Sequence, residues 1–506
     1  MNVIFNYIDM VYVEDVYKDS GIPTYTFVEP NEYTKIIVSL RTKGRCLVIE
    51  GPSGIGKTTC LRKALEYLKM DESVIMLSAR KNGDLITIRN LLNSNSNAGI
   101  IVIDDFHLLE LDLKKDLSNL MKTIADEDRS DIKLVLIGIN RAGDTLIEVA
   151  PDLNNRITTV KFEVNSPEKV QELIELGEIA LNIKITNKSG IVAKSNGSFH
   201  IAQMLCKELC LCENILQNGA ELRILDTPIN TVIKRIMADL TRGFEKKAKA
   251  FAVGTRIRSE GRAPYFHLLH WLAESKEWSI RMADIYIAHP NHKASISQVA
   301  DKGYLSKLIK NNDDISSVIH YDETSKILTI EDPKFIFYLQ NINWDEFAQK
   351  IGFINIEFIN KYDFALSFSG EMRYFASALS EYLSENHDLS VFYDYNEQHT
   401  ILAENLEEYF GPIYRSEAEY IIVILDKRYP QKVWTTFESK QFKDRFGDKA
   451  IIPIICKGCE PDMFSNLSQI GYQVFDPSEN LNEQVKNIAN LLANKINEKR
   501  LYYNVK

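Results

Sequence analysis

The 506-residue sequence contains no uninterrupted apolar run near the roughly 18 residues that a membrane-spanning helix needs, so no membrane segment is expected. Its opening stretch, MNVIFNYIDMVYVEDVYKDS, lacks the basic start and small-residue cleavage site of a signal peptide, and a cytoplasmic protein is expected. Cysteine is scarce and odd in number, seven in all, which argues against a disulfide framework and for reduced thiols. Cys206, Cys210 and Cys212 lie among helix-spaced leucines in QMLCKELCLCENIL and read as small hydrophobes. Cys456 and Cys459 form a single CKGC without the second ligand pair that zinc demands, so no metal site is expected there. Positive charge is not in excess either: the formal net charge is −10, which disfavours nonspecific coating of nucleic acid by the whole chain. One stretch runs the other way, with Arg242, Lys246, Lys247, Lys249, Arg256, Arg258 and Arg262 against Glu245 and Glu260. It reads either as a solvated helix face or as a contact for nucleic acid or an acidic partner.

What is present is material for about three domains on the usual prior of roughly 150 residues each. The balance of 45% apolar and 26% charged residues is that of a globular chain. In CLVIEGPSGIGKTTCLRKALEYL an apolar strand runs into a glycine loop and then into a helix carrying Leu61, Leu65 and Leu68. Gly51, Gly54 and Gly56 let backbone N–H groups turn inward around phosphates, at a helix N-terminus that favours negative charge. With Pro52, Ser53, Ile55, Lys57, Thr58 and Thr59 they make up the phosphate-binding loop G-x-x-x-x-G-K-[ST] and its next residue, which points to ATP or GTP. Lys57 would reach the outer phosphates and Thr58 would hold Mg2+. Further on, GIIVIDDFHLL is a second buried strand, ending in Asp104, placed to hold that Mg2+ through water, and Asp105, placed to orient an attacking water.

These segments resemble the nucleotide-binding motifs of AAA+ ATPases and their STAND relatives. The resemblance implies a polar sensor at Asn140, the end of the strand IKLVLIGIN. It also implies that Arg156, in PDLNNRI, reaches a neighbour's nucleotide, although taken alone Arg156 reads equally as a helix cap or surface charge. Two positions depart from the family pattern. Asp105 stands where members that turn over usually carry glutamate, which implies a slow switch. His200, in SNGSFHIAQML, stands where STAND proteins have proline.

The P-loop ATPase core is expected over 1–165 and a lid of amphipathic helices over 166–224. A connector follows over 225–355, where helices precede a hairpin of 319–321 and 327–330 around the polar turn DETSK. Helices followed by such a wing resemble a winged-helix module, which binds DNA in some proteins and is a spacer in others.

From 361 onward strands and helices alternate: YDFALSF, LSVFYD, AEYIIVIL, KAIIPIIC and GYQVF are strands, and EMRYFASALSEYL, LAENLEEYF, WTTFESKQFKDRF and LNEQVKNIANLLANKI are helices. Repeated strand–helix units imply a doubly wound, flavodoxin-like parallel sheet whose ligands bind beyond the strands' carboxyl ends. Glu438 follows the third strand by a short loop, on that ligand side, four residues after Trp434. From spacing alone it is either a helix-terminal charge sharing a face with Trp434 or a carboxylate held beside an aromatic wall. The stretches YDFALSFSGEMR, LSVFYDY, EYIIVILDKRYPQKVWTTFES and IGYQVFD resemble a bacterial TIR domain, here over 356–506. The resemblance implies cleavage of the nicotinamide–ribose bond of NAD+ with Glu438 as the catalytic carboxylate. It implies NAD+ contacts from Trp434 and Phe368, which can stack on nicotinamide, and from Ser367, Ser369, Arg373, Tyr393 and Asp394. DYNEQHTIL would be the loop covering the site. Serines at a strand end also read as helix caps.

The expected architecture is therefore α/β and multidomain: a P-loop AAA+-like ATPase with a helical lid, a winged-helix-like connector and a flavodoxin-like TIR domain. The expected function is that of an ATP-regulated NAD+ hydrolase, resembling prokaryotic immune proteins that deplete NAD+ in antiphage defence. It would work as a homo-oligomer, with a phage-derived or nucleic-acid trigger or a partner subunit, and without a membrane. Two rival readings stand beside it: a non-enzymatic TIR scaffold controlled by ATP, and a DNA-binding ATPase with an accessory TIR domain.

Overall fold

The computed structural model describes residues 10–70, 74–93, 99–139, 153, 155–255, 261–353, 360–394, 412–429, 450–459 and 470–503. The chain divides into two compact units, one of 1–248, 271–280 and 312–342, the other of 249–270, 281–311 and 343–506. Residues of the connector thus occur in both.

The first unit is built on five parallel strands, β1 (Cys46–Glu50), β2 (Val74–Ser78), β3 (Gly99–Asp104), β4 (Ile132–Gly138) and β5 (Ile157–Lys161), in the order β2-β3-β4-β1-β5. β1 and β4 read as continuous apolar runs rather than alternating ones because helices cover both sheet faces. One face packs on Leu113, Leu117 and Met121 of the helix Leu111–Asp126. The other packs on Leu61, Ala64 and Leu65 of the helix Lys57–Tyr67, with Ile36 and Leu40 of Tyr33–Arg41. The lid follows as helices Pro167–Leu181, Lys188–Ser195 and Phe199–Cys212, with a parallel pair of short strands, β6 (Ile183–Ile185) and β7 (Arg223–Leu225). Pro167 opens the first of these helices, and the Ser198 hydroxyl caps the last by accepting from the Ile201 N–H.

A three-stranded sheet, β8 (Ser279–Arg281), β9 (Ile319–Asp322) and β10 (Ile327–Ile330), has the order β8-β10-β9. β9 and β10 form the antiparallel hairpin. Its turn is closed by Asp322 Oδ1, which accepts from the Thr324 and Ser325 N–H groups at 2.9 Å each. The basic stretch is partly engaged inside the first unit: Lys246 pairs with Asp314 at 2.6 Å and Lys247 donates to Ser317 Oγ at 2.8 Å. Arg256 and Arg258 lie outside the described residues.

The second unit carries β11 (Tyr362–Phe368), β12 (Val391–Phe392), β13 (Ala418–Leu425), β14 (Ile451–Cys456) and β15 (Gln473–Phe475), all parallel, in the flavodoxin-like order β12-β11-β13-β14-β15. Phe375, Leu379 and Leu383 of the helix Arg373–His387 and Val485, Ile488 and Leu492 of the helix Leu481–Tyr503 cover one face. The helices expected at 402–410 and 434–446 lie outside the described residues, and Trp434 and Glu438 with them.

At the amino end of β11 lies a buried ionic cluster. Arg262 forks onto Asp363, Nε to Oδ2 at 3.0 Å and Nη2 to Oδ1 at 2.9 Å, and Arg500 Nη2 donates to Oδ1 at 2.7 Å. The Ser390 N–H supplies a further donor at 2.8 Å. Arg262 is 1% exposed, which corrects its reading as part of a solvated or nucleic-acid-facing basic stretch. Burial pushes the Asp363 carboxyl up, but Arg262 and Arg500 outweigh it and hold the group below the usual carboxylate range. A carboxylate depressed in the folded state stabilises above its unfolded pKa, so this contribution is complete above about pH 4 and is withdrawn as pH falls through the folded value. Asp363→Asn is expected to lower the stability of this unit by about 3–5 kcal/mol at pH 7, because it leaves two buried guanidinium groups without their counter-charge. Urea unfolding followed by circular dichroism measures this; a loss under about 1 kcal/mol would mean the cluster contributes nothing net.

All seven cysteines are free. Among the described residues no helix is long and apolar enough to cross a membrane.

Candidate functional site

The loop between β1 and the helix Lys57–Tyr67 is shaped by glycines that no other residue replaces. Gly51, Gly54 and Gly56 have φ of 146°, 70° and 107°. A Cβ on Gly51 would stand 2.6 Å from the Phe162 carbonyl oxygen, and one on Gly54 would stand 2.9 Å from Pro333. Lys57 Nζ donates to the carbonyls of Gly51 at 2.8 Å and Pro52 at 2.7 Å. Burial lowers the Lys57 pKa to about 8 against the pull of Asp104 and Asp105. Thr58 Oγ1 donates to Asp104 Oδ2 at 3.0 Å, and the Asp105 N–H donates to Asp104 Oδ1 at 2.9 Å. Asp105, in the left-handed region at φ 58°, accepts from Ser78 Oγ at 3.1 Å and from Arg80 Nε at 3.0 Å. Ser53 and Thr59 line the same cavity of about 280 Å3. Ile55 is fully buried, and its carbonyl accepts from Asn165 Nδ2 at 3.3 Å.

Two further walls complete this cavity, and sequence reasoning misses the first of them. One is the segment before the first strand, where Lys18, Phe27 and Val28 line it. Tyr17, packed against Gly177 of the lid, and the Lys18 N–H, which donates to Gln203 Oε1 at 2.8 Å, fasten that segment. The other wall is the lid itself, through Phe199, His200 and Gln203. The His200 N–H donates to the Gly54 carbonyl at 3.4 Å, a bond the proline of the family pattern has no hydrogen to make. Arg156 is not part of this cavity. It precedes β5, at the opposite end of the sheet from the glycine loop, and its Nε donates to Asp126 Oδ1 at 2.6 Å. Asn140 lies outside the described residues.

A glycine loop that a Cβ would obstruct, a buried lysine and a threonine–aspartate pair fit a magnesium nucleotide. Since a phosphate-bound Lys57 must be an ammonium, nucleotide affinity is expected to hold constant between pH 6.5 and 7.5. It should then fall by up to about tenfold per unit above pH 8, as the nucleotide-free protein loses that proton first. Calorimetric titration with ADP across this range checks the sign; affinity that rises with pH would exclude Lys57 as the responsible group.

In the second unit the carboxyl ends of β11 and β12 bring four candidates together. Arg373 forks onto Asp394 with two bonds of 3.1 Å, its guanidinium lies 5.3 Å from the Phe368 ring centroid, and the Phe368 and Tyr393 rings are 5.7 Å apart. Ser367 does not join them: it is fully buried, and its hydroxyl lies 2.6 Å from that of Tyr429. Ser369 is 1% exposed and does not cap the short helix after it; its hydroxyl has no hydrogen-bond partner among the described residues. Asp426, beyond the end of neighbouring β13, has a buried Oδ1 in the same condition; it lies within the stretch EYIIVILDKRYPQKVWTTFES but is not among the candidate residues.

Residues 364–491 match the family model of the TIR domain, and residues 27–142 match that of novel STAND NTPase 3. The chain joins a STAND NTPase domain to a TIR domain. It is 27% identical over 144 residues to the 3′ cyclic ADP-D-ribose synthase AaTIR of Aquimarina amphilecti, a match covering 28% of this chain and 42% of that protein. It is 26% identical over 236 residues to the Lon protease of Malacoplasma penetrans (strain HF-2), covering 42% of this chain and 28% of the protease. The chain therefore spans less than half the length of either curated relative. Among solved structures, the Aeropyrum pernix ORC1 protein in complex with DNA is similar at a TM-score of 0.36 and 13% identity, covering 68% of this chain and 99% of that one. The Arg373, Phe368, Tyr393 and Asp394 group lies within the TIR domain, and the glycine loop, Asp104 and Asp105 lie within the NTPase domain.

Proposed function

We propose that this protein cleaves NAD+ at its TIR domain under the control of a nucleotide held by its NTPase domain. The observation that carries the reading is the convergence of Arg373, Phe368, Tyr393 and Asp394 at the carboxyl edge of a sheet that matches the TIR family. Likeness to a 3′ cyclic ADP-D-ribose synthase supports an adenine dinucleotide as substrate.

The bond that breaks is the one between ribose C1′ and the nicotinamide nitrogen. Its electron pair leaves with nicotinamide, cancelling the ring's positive charge, so no general acid is required. Glu438 is assigned the carboxylate that stabilises the cationic sugar left behind, and Trp434 or Phe368 the ring that stacks on nicotinamide. Water then adds at C1′ and gives up a proton, yielding ADP-ribose; attack by a hydroxyl of the same molecule yields a cyclic product instead. Arg373, with five donors, suits the pyrophosphate, and its pairing with Asp394 holds the fork in place.

In the NTPase domain, Lys57 and the glycine-loop N–H groups would hold the phosphates, Thr58 and Asp104 the Mg2+, and Asp105 a water. Magnesium bound there supplies neutralising charge. Asp105 is one methylene shorter than glutamate, which favours slow hydrolysis. Arg156 points the reading toward a homo-oligomer, since only a second copy could present it to a nucleotide. Depletion of NAD+ on infection is the biological role that such a switch serves, in antiphage defence. Incubating the full chain with NAD+ and separating the products by chromatography tests the reading: nicotinamide with linear or cyclic ADP-ribose supports it. Intact NAD+ under every nucleotide condition would leave the TIR domain as a scaffold.

A further inference from the structure

The NTPase cavity contains a cation to which the proposed function gives no role. Arg80 lies just past the carboxyl end of β2 and lines the cavity together with Lys57, Asp104 and Asp105. Its Nε stands 3.0 Å from Asp105 Oδ2, and its Nη2 donates to Glu331 Oε2 at 2.7 Å. Glu331 directly follows β10, and its other carboxylate oxygen is held by His107 Nε2 at 2.9 Å. The two partners of this ion pair differ in depth: the Arg80 side chain is 44% exposed and that of Glu331 only 2%. Burial pushes the Glu331 carboxyl up, but His107 and Arg80 outweigh it and bring its pKa down to about 2, so the group stays ionised.

We infer that Arg80 reads the third phosphate of a bound nucleotide, and that Glu331 holds Arg80 when that phosphate is missing. The inference rests on the nucleotide reading of the cavity. A guanidinium fork matches a phosphate as well as it matches a carboxylate, and Arg80 is the half-exposed, movable member of the pair. A triphosphate extends further and carries more charge than a diphosphate, so it competes with Asp105 and Glu331 for Arg80 where a diphosphate does not. Glu331 is not stranded when Arg80 turns away, because His107 keeps one of its oxygens. The charge of the nucleotide is thereby exchanged for a contact at the end of the β9–β10 hairpin.

The test is calorimetric binding of the non-hydrolysable imido analogue of ATP and of ADP, each with Mg2+, to the full chain. Arg80→Ala should weaken the triphosphate analogue by roughly tenfold or more and ADP by less than about threefold. Glu331→Gln, which releases Arg80, should strengthen the analogue relative to ADP by severalfold. The double variant Arg80→Ala with Glu331→Gln leaves no buried carboxylate short of a partner, so it remains informative if Arg80→Ala alone misfolds, and it should repeat the selective loss. Equal losses for both nucleotides, or none in the double variant, would overturn the assignment of Arg80 alone. A wild-type chain that binds neither nucleotide would overturn the nucleotide reading of the cavity and this inference with it.

Discussion

Glu438→Gln is expected to reduce nicotinamide release by roughly 100-fold or more while leaving the melting behaviour and nucleotide binding of the chain unchanged. Glutamine keeps the volume and a hydrogen-bonding oxygen but removes the charge that opposes the cationic sugar. The effect should fall on kcat rather than on KM, because the sugar carries its positive charge in the transition state and not in the bound substrate. Glu438→Asp should recover part of the rate, since it retains the charge at a shorter reach. If Glu438→Gln were within a few-fold of wild type, Glu438 would be a solvated charge and the chemistry would have to lie elsewhere.

The second large effect belongs to the NTPase domain. Lys57→Ala removes a buried ammonium whose present partners are the Gly51 and Pro52 carbonyls, groups that a phosphate can replace. Nucleotide affinity should fall at least about 30-fold, the weight of one or two charge-assisted hydrogen bonds. ATP-dependent NAD+ cleavage should fall with it, while any ATP-independent cleavage should persist. Asp105→Asn should act in the opposite direction, keeping the nucleotide bound and slowing its turnover, so that a triggered state lasts longer. Both variants cleaving NAD+ like wild type, with and without ATP, would show that the nucleotide does not gate the TIR domain.

Much of this organisation is legible in local sequence patterns. The glycine loop is readable because its three positive-φ positions, its lysine and its threonine all lie within one short stretch between a strand and a helix. The two parallel sheets are readable because strands covered on both faces leave continuous apolar runs. Depth and distant pairing are not readable in this way. Arg262 reads as one more charge in a basic stretch, yet its partner Asp363 is 101 residues away and both are buried. Arg80 carries no motif, and the carboxylate that holds it is 251 residues further along. The segment carrying Lys18 and Phe27 has no pattern of its own, and it becomes a cavity wall only through Tyr17 and Gln203, which dock it on the lid. Ser367 and Ser369 are alike in sequence, but the fold sends the first to Tyr429 and leaves the second without a partner among the described residues.

The central claim, that nucleotide bound at one domain controls NAD+ cleavage at the other, is tested most directly by nicotinamide release from the purified full chain. The rate would be followed at several protein concentrations with no nucleotide, with ADP and with the imido analogue of ATP, using Lys57→Ala and Glu438→Gln as controls. The account predicts release that depends on the triphosphate form, rises per molecule with protein concentration, and is lost in both variants. Release that proceeds at one rate under all three nucleotide conditions, in wild type and Lys57→Ala alike, would contradict it.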